Sequence, residues 1–347
     1  MLKNIICKLI NSENLEKAEI MEAMEHIMEG RATPAQIGSF LTALKLKGET
    51  IDEITGCAEV MREKALRINP NVPFCIDTCG TGGDGACTFN VSTAAAFVAS
   101  AAGIPVAKHG NRSVSSKSGS ADVLENLGVD INLQPSDVEE CIEEIGIGFL
   151  FAPVFHMSMK HAAGPRRELG FRTIFNILGP LTNPANVKGQ VLGVYHKNLT
   201  EPVARVLLNL GVERAMVVHG LDCIDEISVS DETFVCEIKD GKIESYVIDP
   251  EMFGLRRALK DEVKGGDAVE NAKIILSLFS GEKGPKRDML LINSAAALYI
   301  GKAVNSIREG IELAEWVIDS GKALKKLEEL SEFTGTIKNK NREGVTA

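Results

Sequence analysis

Four polar clusters in this chain carry groups that could do chemistry. The first is Asp77 to Thr93, DTCGTGGDGACTFNVST, where Gly80, Gly82, Gly83 and Gly85 crowd around Thr81 and Asp84. Glycines let successive N–H groups turn into one concavity, and a helix opening at Asn90, Ser92 and Thr93 adds its partial positive charge, so the stretch suits phosphate. It is neither a Walker loop nor a G-x-G-x-x-G fingerprint, and GTGG alone would serve equally as a tight turn between strand and helix. The second cluster, Lys108 to Ser120, KHGNRSVSSKSGS, sets Lys108, Arg112 and Lys117 among hydroxyl and amide side chains in a protein of net charge −10. The third, HGLDCIDE, holds Asp222, Asp225 and Glu226 behind a strand, hard oxygen ligands that suit Mg²⁺ shared with a substrate phosphate. The fourth, Met159 to Asn183, is basic at Lys160, Arg166, Arg167 and Arg172, and by itself reads as a surface helix with a cationic face ended by Gly179-Pro180.

These clusters need elements to position them. Phe74 to Ile76 and Ile104 to Ala107 read as buried strands, each followed by a polar loop and a helix, so both loops belong at the carboxyl ends of neighbouring strands, where α/β sheets take ligands. Further strands are expected at 147–152, 190–195 and 215–219, with helices at 136–145 and 201–211, and period-two alternation over 233–249 centres a hairpin on Asp240-Gly241. This βα order predicts a mostly parallel sheet flanked by helices. Residues 1–70 show only helical spacing, with Thr33-Pro34 opening one helix and a methionine stripe (Met21, Met24, Met28) suited to core or interface packing. The expected organisation is a helical domain over 1–70 completed by helices near 160–185, an α/β domain over 71–335, and a polar tail over 336–347 that frays from Lys338.

The totals bound the function. At 347 residues, 44% hydrophobic and pI about 5.3, the chain is of globular type and argues against nucleic acid as a partner. Eight cysteines without C-x-x-C pairs point to reduced thiols and a cytoplasmic location. The first residues, MLKNIICKLI, read as an amphipathic helix and not a signal peptide, and the longest weakly polar run, Thr93 to Ala107, is too short for a membrane span, which needs roughly 20 residues.

DTCGTGGD, NVST, KHGNRSVSSKSGSADVLENLG, RTIFNILGPLTNPA and HGLDCIDE, in this order and spacing, resemble the anthranilate phosphoribosyltransferase family from about residue 3 to 335. The resemblance implies a homodimer formed through a small helical domain and transfer of phosphoribose from phosphoribosyl pyrophosphate to anthranilate in a cleft between domains. By position, Gly80, Gly83, Asp84, Thr88, Asn90, Val91, Ser92, Thr93, Lys108, His109, Gly110, Asn111, Arg112, Ser113, Val114, Ser115, Ser116 and Ser120 match residues that hold the donor. Gly80, Asn111 and Arg166 match anthranilate contacts, Ser92, Asp225 and Glu226 match magnesium ligands, and Lys108 and His109 are the candidate catalytic groups. Cys223 stands where the family commonly has Gly, and Met157 where it usually has Pro.

Two other readings remain open on the residues themselves. A pyrimidine nucleoside phosphorylase shares the architecture and a glycine loop but has no need of Asp225-Glu226. A non-catalytic nucleic-acid-binding relative would carry positive net charge and lack the acidic pair.

Overall fold

The computed structural model describes residues 1–113 and 117–345, with side chains to Lys338. Four amphipathic helices come first: α1 (Leu2–Ile10), α2 (Lys17–Met28), α3 (Pro34–Lys47) and α4 (Ile51–Lys64). Thr33 caps α3 in a reciprocal box with Gln36, and Thr50 does the same for α4 with Glu53. Glu53 is fully buried, pairs with Lys47 at 2.8 Å and also accepts the Leu15 amide at 2.9 Å, tying α2, α3 and α4 at one end. Met24 and Met28 lie in the core beneath them, so that part of the methionine stripe is packing.

Alternation begins at β1 (Ile76–Gly80) and continues through α5 (Val91–Ala101), β2 (Val106–Gly110), α6 (Ser120–Asn126), α7 (Pro135–Glu140), β3 (Ile147–Phe151) and α8 (Ala152–Phe155). Then come α9 (Lys160–Leu169), α10 (Phe175–Leu181), β4 (Gly189–Gly193), α11 (Thr200–Asn209), β5 (Arg214–Gly220) and the hairpin β6 (Thr233–Lys239) and β7 (Lys242–Ile248). The hairpin turns on Asp240 and Gly241 at φ 51° and 72°, a left-handed pair that matches strand twist. The chain closes with α12 (Ala268–Phe279), α13 (Pro285–Ile300), α14 (Ile307–Asp319) and α15 (Lys322–Val345).

The seven strands form one sheet in the order β3-β2-β1-β4-β5-β6-β7, parallel from β3 to β5 and antiparallel at β6 and β7. Helices cover both faces, as expected of a mostly parallel sheet. One core joins α5, α12, α13 and α14 to one face; the other joins α11 and the first four helices to the opposite face. Helix α9 packs on α2 and α3, and α10 on α4.

Four boundaries differ from the sequence reading. Gly80 and the trio Lys108, His109 and Gly110 are strand residues, because β1 pairs with β4 through Gly80↔Gly193 and β2 with β3 through Gly110↔Phe151. Helix α10 runs past Gly179-Pro180 to Leu181, which is anchored in the core. The backbone is helical through Val345, so the tail expected to fray from Lys338 continues α15.

Candidate active site

From β1 the chain steps outward to β2 and β3, then returns to lay β4 on the other side of β1. At such a reversal the loops leave the carboxyl ends of β1 and β4 in opposite directions and open a crevice. Here the Thr81 amide donates to the Gly193 carbonyl at 2.9 Å, and the Tyr195 amide to Thr81 Oγ1 at 3.0 Å, so the glycine loop starts pinned to the end of β4.

Gly82 and Gly83 then take φ of 68° and 74°, a left-handed pair that side chains rarely adopt. The turn aims the Gly82 amide at Asp225 Oδ2, 2.6 Å away, while the Asp225 amide donates to Asp84 Oδ2 at 3.3 Å. The Asp225 loop crosses so close to the sheet that a Cβ at Gly80 would run into its carboxylate and one at Gly193 into its backbone carbonyl. Three distant segments thus meet over two strand ends.

The electrostatics there are unbalanced. Burial, and secondarily the charge of Asp84, pushes the Asp225 carboxyl up to about 7. Glu226 is held well above the usual carboxylate range by burial and then by Asp225, against the opposing pull of Lys108 and a hydrogen bond from the Ser92 amide. Crowded carboxylates beside the Ser92 backbone are a fit for a divalent cation. Among the described residues no three His, Cys, Asp or Glu side chains form a ready cage, so such a cation would complete its shell with substrate or water oxygens. Asp222 stands apart from this pair, its carboxylate hydrogen-bonded with Ser228.

Strand alternation decides the fates of Lys108 and His109. Lys108 is buried, and its ammonium donates to the Thr78 carbonyl at 2.5 Å. His109 faces the opposite side, its amide on Asp77 Oδ1 at 3.2 Å, while Asn183 Nδ2 bridges Asp77 Oδ2 at 2.9 Å and the Ala107 carbonyl at 2.8 Å. Burial raises the Asp77 carboxyl, opposed first by Lys108. The His109 ring lies 5.1 Å from that of His156. Burial lowers both imidazoles, His109 well below 6.5 and His156 to about 4, although each is bonded to a backbone group, at Gly179 and Thr182 respectively. Their Nε2 atoms have no partner among the described residues.

The remaining candidates fall into place around these groups. Asn90 Oδ1 receives Asn271 Nδ2 at 2.9 Å and Ser118 Oγ at 3.4 Å. Thr88 bridges to Lys264, Val91 and Thr93 are buried, and the Ser92 carbonyl accepts Thr78 Oγ1 at 2.8 Å. Asn111 stands at the start of the second loop, its carbonyl taking the Ala121 amide at 3.2 Å and Ser120 Oγ at 3.4 Å. Arg112 is turned along α6, binding Asp122 at 2.9 Å and Glu125 at 2.5 Å; it does not project into the crevice as a spare cation. The Ser113 amide is likewise held by Asp122 at 3.0 Å. Val114, Ser115 and Ser116 lie outside the described residues. Arg166 is half-buried over the Phe175 ring at 4.9 Å, its pKa lowered by burial, with no carboxylate partner among the described residues. Phe175 belongs to α10, so Arg166 approaches from the side of the first four helices.

Sequence reasoning missed Asn271, which orders Asn90 from the start of α12, and the Asp77–Asn183 bridge between strands. The first has no local signal. The second was visible only as the Asn of RTIFNILGPLTNPA. Tyr195, directly after β4, had the signal of an aromatic residue at a strand end.

A parallel sheet carrying a glycine loop and an acidic pair at its switch point, with a helical bundle against one face, defines a class. Residues 73–324 match the glycosyl transferase family, a/b domain, and residues 3–65 the same family's helical bundle domain. The anthranilate phosphoribosyltransferase of Acetivibrio thermocellus is 66% identical over 336 residues, covering 97% of both chains. The crystal structure of that enzyme from Thermus thermophilus superposes with TM-score 0.90 at 44% identity, covering 95% of this chain and 98% of its own. The Saccharomyces cerevisiae enzyme in complex with PRPP and Mg superposes with TM-score 0.89 at 30% identity, covering 96% of this chain and 98% of its own. The chain belongs to the anthranilate phosphoribosyltransferase family.

Proposed function

We propose that this chain transfers the phosphoribosyl group of phosphoribosyl pyrophosphate to the amine of anthranilate, giving N-(5-phosphoribosyl)anthranilate and pyrophosphate in tryptophan biosynthesis. The observation that carries the reading is the meeting of the Gly82 amide, Asp84 and Asp225 at 2.6 and 3.3 Å over the switch point, beside Glu226. Ser92, Asp225 and Glu226 would hold Mg²⁺, which supplies positive charge to the departing pyrophosphate. The glycine-loop amides and the start of α5 receive phosphate oxygens, and Asn90, fixed by Asn271, orients the loop's end against that helix.

Lys108, buried on the Thr78 carbonyl, acts within the sheet as the counter-charge to Glu226 and Asp77. Arg166 orients anthranilate through its carboxylate, with Asn111 and Gly80 at the edge of the same space. A guanidinium with no carboxylate partner among the described residues supports this, since a fork geometry matches a carboxylate in a way lysine cannot copy. His109 is a neutral wall group in this reading and not a proton acceptor of raised basicity. Much of the rate comes from holding two substrates in line, a mechanism worth up to ~7–11 kcal/mol.

The same reading divides the chain into a helical unit over 1–70, completed by α9 and α10, and an α/β unit over 71–335. The helical unit carries self-association, supported by Ile10 and Leu46 standing exposed on α1 and α3. A reducing, cytoplasmic setting suits eight free thiols. Among the described residues no helix is long and apolar enough to cross a membrane.

The test is loss of anthranilate fluorescence with purified protein, phosphoribosyl pyrophosphate and Mg²⁺, with EDTA and thymidine-plus-phosphate controls. Loss that requires donor and metal is the expected result. Thymidine cleavage without it would make the chain a phosphorylase.

A further inference from the structure

Arg172 lies between α9 and α10, in the segment that carries Arg166, yet its guanidinium reaches out of that segment to the glycine loop. It donates through Nη2 to the Gly83 carbonyl, and the same guanidinium lies over the Tyr195 ring, 4.1 Å from its centroid. Tyr195 is fixed in turn, since its amide donates to Thr81 Oγ1 at 3.0 Å. The left-handed pair Gly82-Gly83 is therefore held from two sides: its first amide by Asp225 at 2.6 Å, its second carbonyl by Arg172. Because a peptide's C=O and the next N–H point in opposite directions, holding the Gly83 carbonyl on Arg172 turns the Asp84 amide the other way.

Arg172 is exposed; among the described residues it has no ion pair with an acid, and this carbonyl and this ring are what hold it. A charged donor gives a carbonyl bond stronger than a neutral one, and a planar guanidinium keeps its direction when stacked on an aromatic face. The tie also joins the α9–α10 side of the crevice, where Arg166 stands, to the phosphate loop after β1.

We propose that Arg172, seated on Tyr195, is a positioning residue that presets the glycine loop for the pyrophosphate of the donor and does so from the anthranilate side of the cleft. The inference rests on the transferase reading and deepens it. It predicts that losing Arg172 weakens the donor and leaves the acceptor nearly untouched, although Arg172 is a neighbour of Arg166 in the chain.

The experiment compares wild type with Arg172→Ala, Arg172→Lys and Tyr195→Leu by steady-state kinetics, by calorimetric titration of phosphoribosyl pyrophosphate with Mg²⁺ and no acceptor, and by thermal melting. Arg172→Ala should raise both donor KM and donor Kd about tenfold, the scale of one charge-assisted bond, with anthranilate KM within twofold and the melting temperature unchanged. Arg172→Lys, which keeps the charge but not the stacked plane, should fall between. Tyr195→Leu should reproduce the donor defect with Arg172 still present, which keeps the test valid if Arg172→Ala folds badly. Donor Kd within twofold of wild type in Arg172→Ala would overturn the proposal, as would a defect confined to anthranilate KM. If wild type binds donor but turns over no anthranilate, the transferase reading fails and the calorimetry still judges the latch. If wild type binds no donor, both fall.

Discussion

Two pairs of buried titratable groups lie near one another at the carboxyl edge of the sheet, and burial acts on them in opposite senses. At Asp225 and Glu226 it raises the pKa; the proximity of Asp84 adds to the rise at both, and that of Asp225 to the rise at Glu226. At His109 and His156 it lowers the pKa, aided at His109 by the charges of His156 and Lys108 and opposed at each by a hydrogen bond to the backbone. Both pairs are driven toward neutrality, but only the acidic pair can be restored to full charge by a bound cation. In the proposed function the acidic end is thus an incomplete electrostatic unit that a metal–pyrophosphate would finish. The histidine end is uncharged as it stands, two buried imidazoles whose Nε2 atoms have no partner among the described residues. The alternation of β2 separates the two ends, sending Lys108 to one side and His109 to the other.

The largest effect should come from breaking the acidic end. Asp225→Asn with Glu226→Gln keeps shape and one acceptor oxygen on each side chain but removes the charge, and should lower turnover at least about 10³-fold. Calorimetry should show the donor no longer gaining affinity from Mg²⁺. Retained metal-dependent turnover would move the cation elsewhere. Next is Arg166→Ala, which should raise the anthranilate KM roughly 10- to 100-fold, the range for a charged hydrogen bond lost from a partly buried site. The donor KM should stay within about twofold. Equal effects on the two substrates would remove Arg166 from the acceptor side.

The histidine end is tested by acid. Unfolded histidines titrate near 6.5 and the folded His156 near 4, so below 6.5 the unfolded chain binds more protons and stability falls with pH. This contribution is fully present above pH 6.5 and is lost progressively down to about 4, amounting to about 3 kcal/mol for His156, with His109 acting in the same direction. His156→Gln should weaken the protein at pH 7 but flatten its stability between pH 6.5 and 4, as read by urea unfolding. An unchanged slope would show the ring to be solvated.

The acidic end was far more legible in the sequence than the histidine end, for a physical reason. Glycine loop and acidic pair each sit within a few residues of a strand end, and glycine and carboxylate chemistry can be read without knowing which strands are neighbours. Lys108, His109 and Arg112 could not be read that way. Lys108 looked like a loop cation until the register of β2 with β3 put it inside the sheet, bound to Thr78. Arg112 looked free until α6 brought Asp122 and Glu125 onto it. Asn271 serves Asn90 across 181 positions, a relation that no spacing rule contains. The βα rhythm and both halves of the hairpin were readable because they are periodic and local, while strand ends were misjudged where hydrogen bonding overrode polarity.

The smallest effect sharpens the comparison from within the acidic end. Cys223 is exposed and sits at φ 75°, two positions before Asp225, in a conformation that favours glycine. A side chain in this conformation costs about 1–2 kcal/mol, of which the extra freedom of glycine in the unfolded chain returns part. Cys223→Gly should therefore stabilise by about 1 kcal/mol, a rise of about 2 °C in melting temperature, whereas Cys223→Ala, which keeps the strain, should not. If activity holds while stability rises, the Gly82–Asp225 contact at 2.6 Å and the close crossing over Gly193 suffice to place the carboxylate. If activity drops tenfold while stability rises, the strained turn is itself part of what aims Asp225, and the acidic end is held under tension where the histidine end is simply packed.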